Sequence, residues 1–365
     1  MTKFAFIIHP LNARDIARKF WIAKYMPDSW VEKFARHKDP VILSEITGIR
    51  SATGATTSGW FIGLPMTPNM MVKSLPIEEV YDKIAKCGDV AADLGADIIG
   101  LGAFTSVVGD GGVTVAKRTK IKAVTTGNSY TVATAIEGTR KACELLEVDL
   151  PSATLAVVGA TGSIGKTCAK VLGRSFGRTI LIGRDLERTQ AVATELDNAT
   201  ASTNVEDVGQ ADAIVTVSSA GKELIMPEHL RPGTVVCDVA RPRDVSVRVS
   251  KERPDVLVIE GGVIRVPGDV KFNFHFGFPD KTAYACMSET MMLALEGRPE
   301  SFTLGKDVSV EQVDEMNRLA KKHGFVLETF RSFERAVDAE TIERAKKARR
   351  EAGQSPFRAV TALQP

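Results

Sequence analysis

Disulfides and structural zinc are the first things missing from this 365-residue chain. Its cysteines number five, an odd count, and lie scattered at Cys87, Cys143, Cys168, Cys237 and Cys286 without a CxxC pair. That usage fits a reducing, cytoplasmic setting. No apolar run reaches the roughly 18 residues needed to cross a bilayer. The apolar part of the opening MTKFAFIIHPLN is too short for a secretory signal. Charge of one sign is also lacking: Lys and Arg number 47 against 45 Asp and Glu, a net of +2, where a nucleic-acid binder carries a basic excess. Repeats and low-complexity tracts are absent, and no histidine–carboxylate spacing suits a metal. What remains is ordinary globular composition, 44% hydrophobic and 25% charged, with length for two or three domains.

The early chain reads as a strand at 3–8 and a helix at 13–21. Val80, Ile84, Cys87, Val90, Ala91 and Leu94 fall at helical spacing. A buried strand at 97–102 and a glycine-rich loop at 108–112 follow. From Pro151 the rhythm sharpens, with strand-like runs at 154–159, 179–183, 213–218, 234–238 and 256–260. Helical stretches such as 165–174 and 186–196 separate several of them. Apolar strands alternating with amphipathic helices indicate a parallel sheet covered on both faces. Beyond Pro279 the chain reads as helical at 283–296, 310–323 and 336–351, and the ending QSPFRAVTALQP has no period.

The run Val158-Gly159-Ala160-Thr161-Gly162-Ser163-Ile164-Gly165 joins an apolar strand to a helix. Missing side chains let the backbone turn tightly and approach a pyrophosphate, which the helix N-terminus stabilises. Gly159, Thr161, Gly162, Ser163, Ile164 and Gly165 are therefore candidate dinucleotide contacts. The same stretch, through Lys166 and Thr167, satisfies a loose phosphate-loop pattern with Asp238 as a magnesium partner. Its first glycine is one place early for that motif. At the end of the next strand stands Arg184, where an NAD-binding chain places an acid, so a 2′-phosphate and NADPH are expected. Arg188 reads as an assistant, and Asp185 keeps NAD open as the alternative. Ligands sit outside the carboxyl ends of such strands, which adds the tips at Ser218, Ser219, Ala240 and Gly262. The expected fold is α/β: an N-terminal α/β domain, then a Rossmann-type doubly wound parallel sheet, then C-terminal helices.

Cys286 lies just after Pro279-Asp280-Lys281-Thr282. Either Asp280 or Thr282 suits an N-cap, which puts the thiol in the first or second turn of a helix. There the macrodipole favours thiolate. The strings TTGNSYTVA (125–133), GATGSIG (159–165), GGVI (261–264), AYACMSETMMLALEG (283–297) and KHGF (322–325) then stand in order. Over residues 3–325 the chain resembles the long-chain acyl-[acyl-carrier-protein] reductases of cyanobacteria, which make fatty aldehydes. The resemblance implies an acyl-enzyme on Cys286, NADPH as reductant and an acyl-carrier-protein or CoA thioester as substrate. It also invites a downstream aldehyde-consuming enzyme as partner. Asn128 then reads as an oxyanion-hole contributor beside backbone N–H groups, and His275 as a proton donor or thiolate partner. The implied domains are an acyl-binding domain at 1–130, an NADP-binding domain at 131–281 and a helical segment at 282–365 that carries the cysteine and packs back on the first. The segment 271–278 and the tail beyond about 334 depart from the family pattern, which leaves acyl length and donor open.

Other features carry two readings each. Trp60, Phe61, Met66, Met70, Met71 and Phe104 read as an alkyl channel or as core. The basic run 344–350 reads as a carrier-docking face or as a solvated helix face. His37, His229 and His323 read as surface or turn residues, and Cys168 as core. Two rival functions stay in view: a direct-hydride dehydrogenase of the shikimate or amino-acid type, and a non-catalytic NADP-binding sensor.

Overall fold

The computed structural model describes residues 1–17, 25–261, 263–275, 277–328 and 330–354. Part of the helix expected at 13–21, the tip residue Gly262 and nearly all of the period-free tail lie outside them. The chain divides into two compact units. The first comprises Met1–Thr134, Gly162–Thr167 and Gly262–Glu328; the second comprises Ala135–Thr161, Cys168–Gly261 and Thr329–Pro365. The cysteine segment thus groups with the N-terminal residues, and the final helix with the second unit.

In the first unit, β1 (Phe4–Ile8), β2 (Val41–Arg50), β3 (Thr56–Gly63), β4 (Ile98–Gly100) and β5 (Ala123–Thr125) join an edge strand, Gly268–Lys271, in one six-stranded sheet. Its order is edge–β2–β3–β1–β4–β5, with β3, β1, β4 and β5 parallel and β2 antiparallel to both of its neighbours. Side chains alternate across a pleated strand. Ala5, Ile7 and Ile62 accordingly pack into a core with Met66, Met70, Met71 and Ile84, the last from α1 (Ile77–Asp93). Phe4, Phe6 and Phe61 belong to the opposite alternation and are also fully buried. After β5 the chain turns into α2 (Asn128–Leu145), whose later residues count with the second unit.

The second unit is built on β6 (Thr154–Val158), β7 (Arg178–Ile182), β8 (Ala199–Ser202), β9 (Ala213–Thr216), β10 (Val235–Asp238) and β11 (Leu257–Glu260). All six are parallel in the order β8–β7–β6–β9–β10–β11. This is the doubly wound Rossmann arrangement, and its direction of winding reverses between β6 and β9. The glycine turn leads from β6 into α3 (Ser163–Leu172), and β7 leads into α4 (Leu186–Ala193). β8 was not anticipated: Ala-Thr-Ala-Ser at a sheet edge has no apolar run to betray it.

Three further helices follow: α5 (Ala285–Leu295), α6 (Val310–His323) and α7 (Ala339–Gln354). α5 is buried nearly all round, as its apolar sequence demands. It lies against the first sheet, and a Cβ on Gly100 of β4 would strike the Thr290 hydroxyl. α6 opens with a Ser309–Gln312 capping box and closes at Gly324 in the left-handed region. One expectation needs correcting. Residues 282–284 form a strand paired with Val263–Arg265, so α5 starts later than predicted. Its N-cap is Tyr284, with no side-chain cap bond, while the Thr282 hydroxyl donates to Pro279 O at 2.7 Å. No helix among the described residues is long and apolar enough to cross a membrane.

Candidate functional site

Cys286 is the second residue of α5 and is half-buried. The other four cysteines are buried, and desolvation pushes every one of their thiols up, Cys143 and Cys237 to about 12. A thiol held protonated is a poor nucleophile. Among the five, Cys286 alone combines access with a helix N-terminus. The turn between β5 and α2 lies directly on it. Gly127 has φ +75°, and a Cβ there would sit 2.4 Å from both Cα and Cβ of Cys286. Only glycine permits that approach. Next to it Asn128, the first residue of α2, is 4% exposed, and its carboxamide has no hydrogen-bond partner among the described residues. Neither amide atom is sealed from solvent, so the carboxamide stays open to a bound group.

The turn is anchored by a residue that sequence reasoning missed. Glu289, one turn along α5 from Cys286, is fully buried. Its Oε1 accepts from the Thr125 hydroxyl at 2.6 Å and the Thr303 hydroxyl at 2.9 Å, and its Oε2 accepts from Tyr130 N–H at 3.0 Å. Thr303 also pairs with Ser129 Oγ at 2.7 Å. Burial raises the Glu289 pKa, while these bonds, with one from the Ser129 backbone, act against the rise. An acid inside an otherwise apolar helix was the available signal, because a buried carboxyl group needs such partners.

In the second unit, Gly159 has φ +85°, and a Cβ there would come within 3.0 Å of the backbone at Val217 and Ser218. Thr161, Ser163 and Ile164 are half-exposed, Gly162 is exposed and Gly165 is buried. They border the N-terminus of α3, a ready anion site. Arg184, two residues past β7, and Arg188 are exposed, and neither side chain has an ion-pair partner among the described residues. The Asp185 carboxylate accepts from Arg188 N–H at 3.0 Å and caps α4. Ser218 donates through Oγ at 2.6 Å and N–H at 2.8 Å to the buried Asp244. Thr216 Oγ1 bonds the same carboxylate. Ser219 is exposed; Ala240 is buried, its N–H bonded to Asp238 at 3.1 Å. The start of α3 offers donors of the kind a pyrophosphate takes, whereas Ser218 and the Ala240 N–H have theirs committed to Asp244 and Asp238. The phosphate-loop alternative does not fit: Thr167 Oγ1 donates to Val308 O at 2.7 Å, and Asp238 is buried under backbone N–H groups.

The remaining candidates sort less favourably. His275 is exposed, and its ring makes no hydrogen bond among the described residues. His323, expected at the surface, is buried: Nδ1 lies 2.8 Å from Ser51 Oγ and Nε2 2.6 Å from Glu296 Oε1. This trio resembles a hydrolase triad, but Ser51 is itself buried and Thr53 N–H already donates to its oxygen. Met66, Met70, Met71 and Phe104 belong to the first core and Trp60 packs against it, while Phe61 stacks on Phe272 at 5.8 Å. All five cations of the basic run 344–350 have carboxylate partners within the second unit, at Glu340, Glu147, Glu351 and Asp212.

The family model described as shikimate / quinate 5-dehydrogenase matches residues 140–260. Together with the strand order and the glycine turn, that match marks an NAD(P)-binding domain. The long-chain acyl-[acyl-carrier-protein] reductase of Synechococcus elongatus is 28% identical over 86% of this chain and 94% of its own length. The resemblance drawn from the motifs is therefore borne out. Aminotransferase PigE of a Serratia species is 27% identical over 94% of this chain, which spans only 42% of that longer protein. Among solved structures, L-tryptophan dehydrogenase from Nostoc punctiforme is similar across 97% of this chain and 90% of its own, at 13% identity and a TM-score of 0.43.

Proposed function

We propose that this chain is an NADPH-dependent reductase that takes a fatty acyl group from an acyl-carrier-protein or CoA thioester onto Cys286 and releases it as an aldehyde. The observation that carries the reading is the half-buried Cys286 in the first turn of α5, with Gly127 against it and, next along, the Asn128 amide, which has no hydrogen-bond partner among the described residues. The Cys286 thiolate attacks the thioester carbonyl and the carrier thiol departs. Negative charge on the carbonyl oxygen is taken up by donors at the two helix starts, with Asn128 among them. NADPH held at the glycine turn before α3 would supply the hydride that takes the acyl carbon to the aldehyde level. The thiohemiacetal on Cys286 then collapses, which frees the aldehyde and returns the thiol. Dividing a hard step into two easier ones is the gain from covalent catalysis.

NADPH is favoured over NADH because Arg184 is exposed and has no carboxylate partner among the described residues, whereas Asp185 is committed to capping α4. His275, exposed and bonded to nothing described, supplies the proton in this scheme only if substrate brings it close. The downstream aldehyde-consuming partner remains part of the proposal, supported by the family likeness alone. The test supplies NADPH deuterated at nicotinamide C4, in each stereochemical form, with a decanoyl thioester of CoA or of acyl-carrier protein. Decanal carrying one deuterium at C1 is expected with one of the two forms. Cofactor binding without aldehyde from either donor contradicts the proposal and favours the sensor. Turnover of a hydroxy or amino acid, without an acyl adduct, favours the direct-hydride dehydrogenase.

A further inference from the structure

A buried carboxylate ties together the two chain segments that meet at the nucleophile. Glu289 sits on the cysteine's own helix, and its two oxygens hold both ends of the 125–130 turn: Thr125 by its hydroxyl at 2.6 Å and Tyr130 by its N–H at 3.0 Å. Between those anchors lie Gly127, in contact with Cys286, and Asn128, whose amide has no hydrogen-bond partner among the described residues. Thr303 braces the arrangement from a third segment, bonding Glu289 at 2.9 Å and Ser129 at 2.7 Å. A two-ended anchor of this kind restricts a turn to one position relative to the helix. It does so without exposing any atom of its own to substrate, since Glu289 is fully buried.

We propose that Glu289 is a positioning residue for the acylation step: it holds the 125–130 turn so that its donors meet the oxyanion that forms on the Cys286 acyl group. The inference rests on the acyl-enzyme reading above and deepens it. Glu289 acts on the turn, so its loss slows reactions that develop an oxyanion and spares simple alkylation of the sulfur. Glutamine fits the same place. Its carbonyl oxygen can accept from Tyr130 N–H while its NH2 donates to the threonine hydroxyls, which also accept.

The experiment compares two reactions of the intact protein, followed by mass: acylation of Cys286 by decanoyl-CoA or decanoyl-acyl-carrier protein, and alkylation by iodoacetamide. For Glu289→Ala, acylation is expected to slow about 100-fold, the scale of losing one oxyanion donor. Alkylation is expected to stay within about 3-fold, and Glu289→Gln to recover acylation to within about 5-fold of wild type. Should the alanine variant fail to fold, Thr303→Val decides. It removes one bond to the carboxylate and should slow acylation roughly 5- to 10-fold with alkylation unchanged. Acylation at the wild-type rate in the folded variants overturns the inference, as does an equal fall in both reactions. The wild-type protein is scored first. If it forms no adduct with either thioester, the acyl-enzyme reading fails, and the inference fails with it. If it forms the adduct and the variants match it, only the role of Glu289 fails.

Discussion

Replacing Gly127 with alanine tests the contact between turn and nucleophile at a single atom. The new Cβ would lie 2.4 Å from Cα and Cβ of Cys286 and 2.7 Å from its carbonyl oxygen. Ordinary carbon contacts sit near 3.5 Å, so turn and helix must separate by about 1 Å. Backbone lies on both sides, so no flexible side chain can yield instead. The φ of +75° adds about 1–2 kcal/mol for any side chain, and overpacking about 1–3 kcal/mol more. Unfolding stability should therefore fall by roughly 2–5 kcal/mol. A shift of that size at a reacting group costs about 100-fold in rate, which stopped-flow acylation by an acyl thioester will report. Gly95→Ala supplies the control, since Gly95 has φ +86° and open space around its missing Cβ. It should lose about 1–2 kcal/mol through backbone strain and acylate normally. Wild-type acylation in Gly127→Ala, or an equal loss in Gly95→Ala, would refute the contact argument.

Three further outcomes follow from the same geometry. Arg184→Ala should weaken NADPH binding by about 10- to 100-fold and leave NADH binding nearly unchanged, as titration calorimetry would show; equal losses remove Arg184 from the 2′-phosphate site. Burial pushes the Asp238 carboxyl up to about 6, so the folded state prefers its neutral form. That preference is fully present below the unfolded value of 3.8 and is lost as pH rises through about 6. Denaturant unfolding of wild type against Asp238→Asn should therefore diverge by about 2 kcal/mol in the variant's favour between pH 4 and pH 7.5, on top of a constant offset from the lost acceptor; a difference flat with pH contradicts this. His323→Ala should destabilise by about 2 kcal/mol through loss of the Ser51–His323–Glu296 links while acylation stays normal, and a large rate loss would give that trio a chemical role.

Much of the second unit was legible because buried parallel strands read as apolar runs. The runs expected at 154–159, 179–183, 213–218, 234–238 and 256–260 correspond to β6, β7, β9, β10 and β11, each within about two residues at either end. β8 escaped because an edge strand needs little apolar content. The β2–β3 hairpin escaped for another reason. Its polar and glycine residues, with register shifts between Ile42 and Ser44 and between Ile46 and Ile49, break the strict alternation that marks a strand. At the candidate site, local signals placed Cys286 near a helix start. What they could not give was the long-range pairing of Gly127 with Cys286 and of Thr125 with Glu289, since a φ above zero and a partner 164 residues away leave no local periodicity. His323 was misjudged likewise: a histidine at a helix end looks solvated until its partners at 51 and 296 are known.

The most direct measurement of the central claim is the intact mass of the protein after mixing with a long-chain acyl thioester and no nucleotide. The account predicts one added acyl group, mapped by peptide digestion to residue 286, absent in Cys286→Ser and discharged when NADPH is added. An unmodified mass across chain lengths and both carriers, or an adduct that survives in Cys286→Ser, contradicts it.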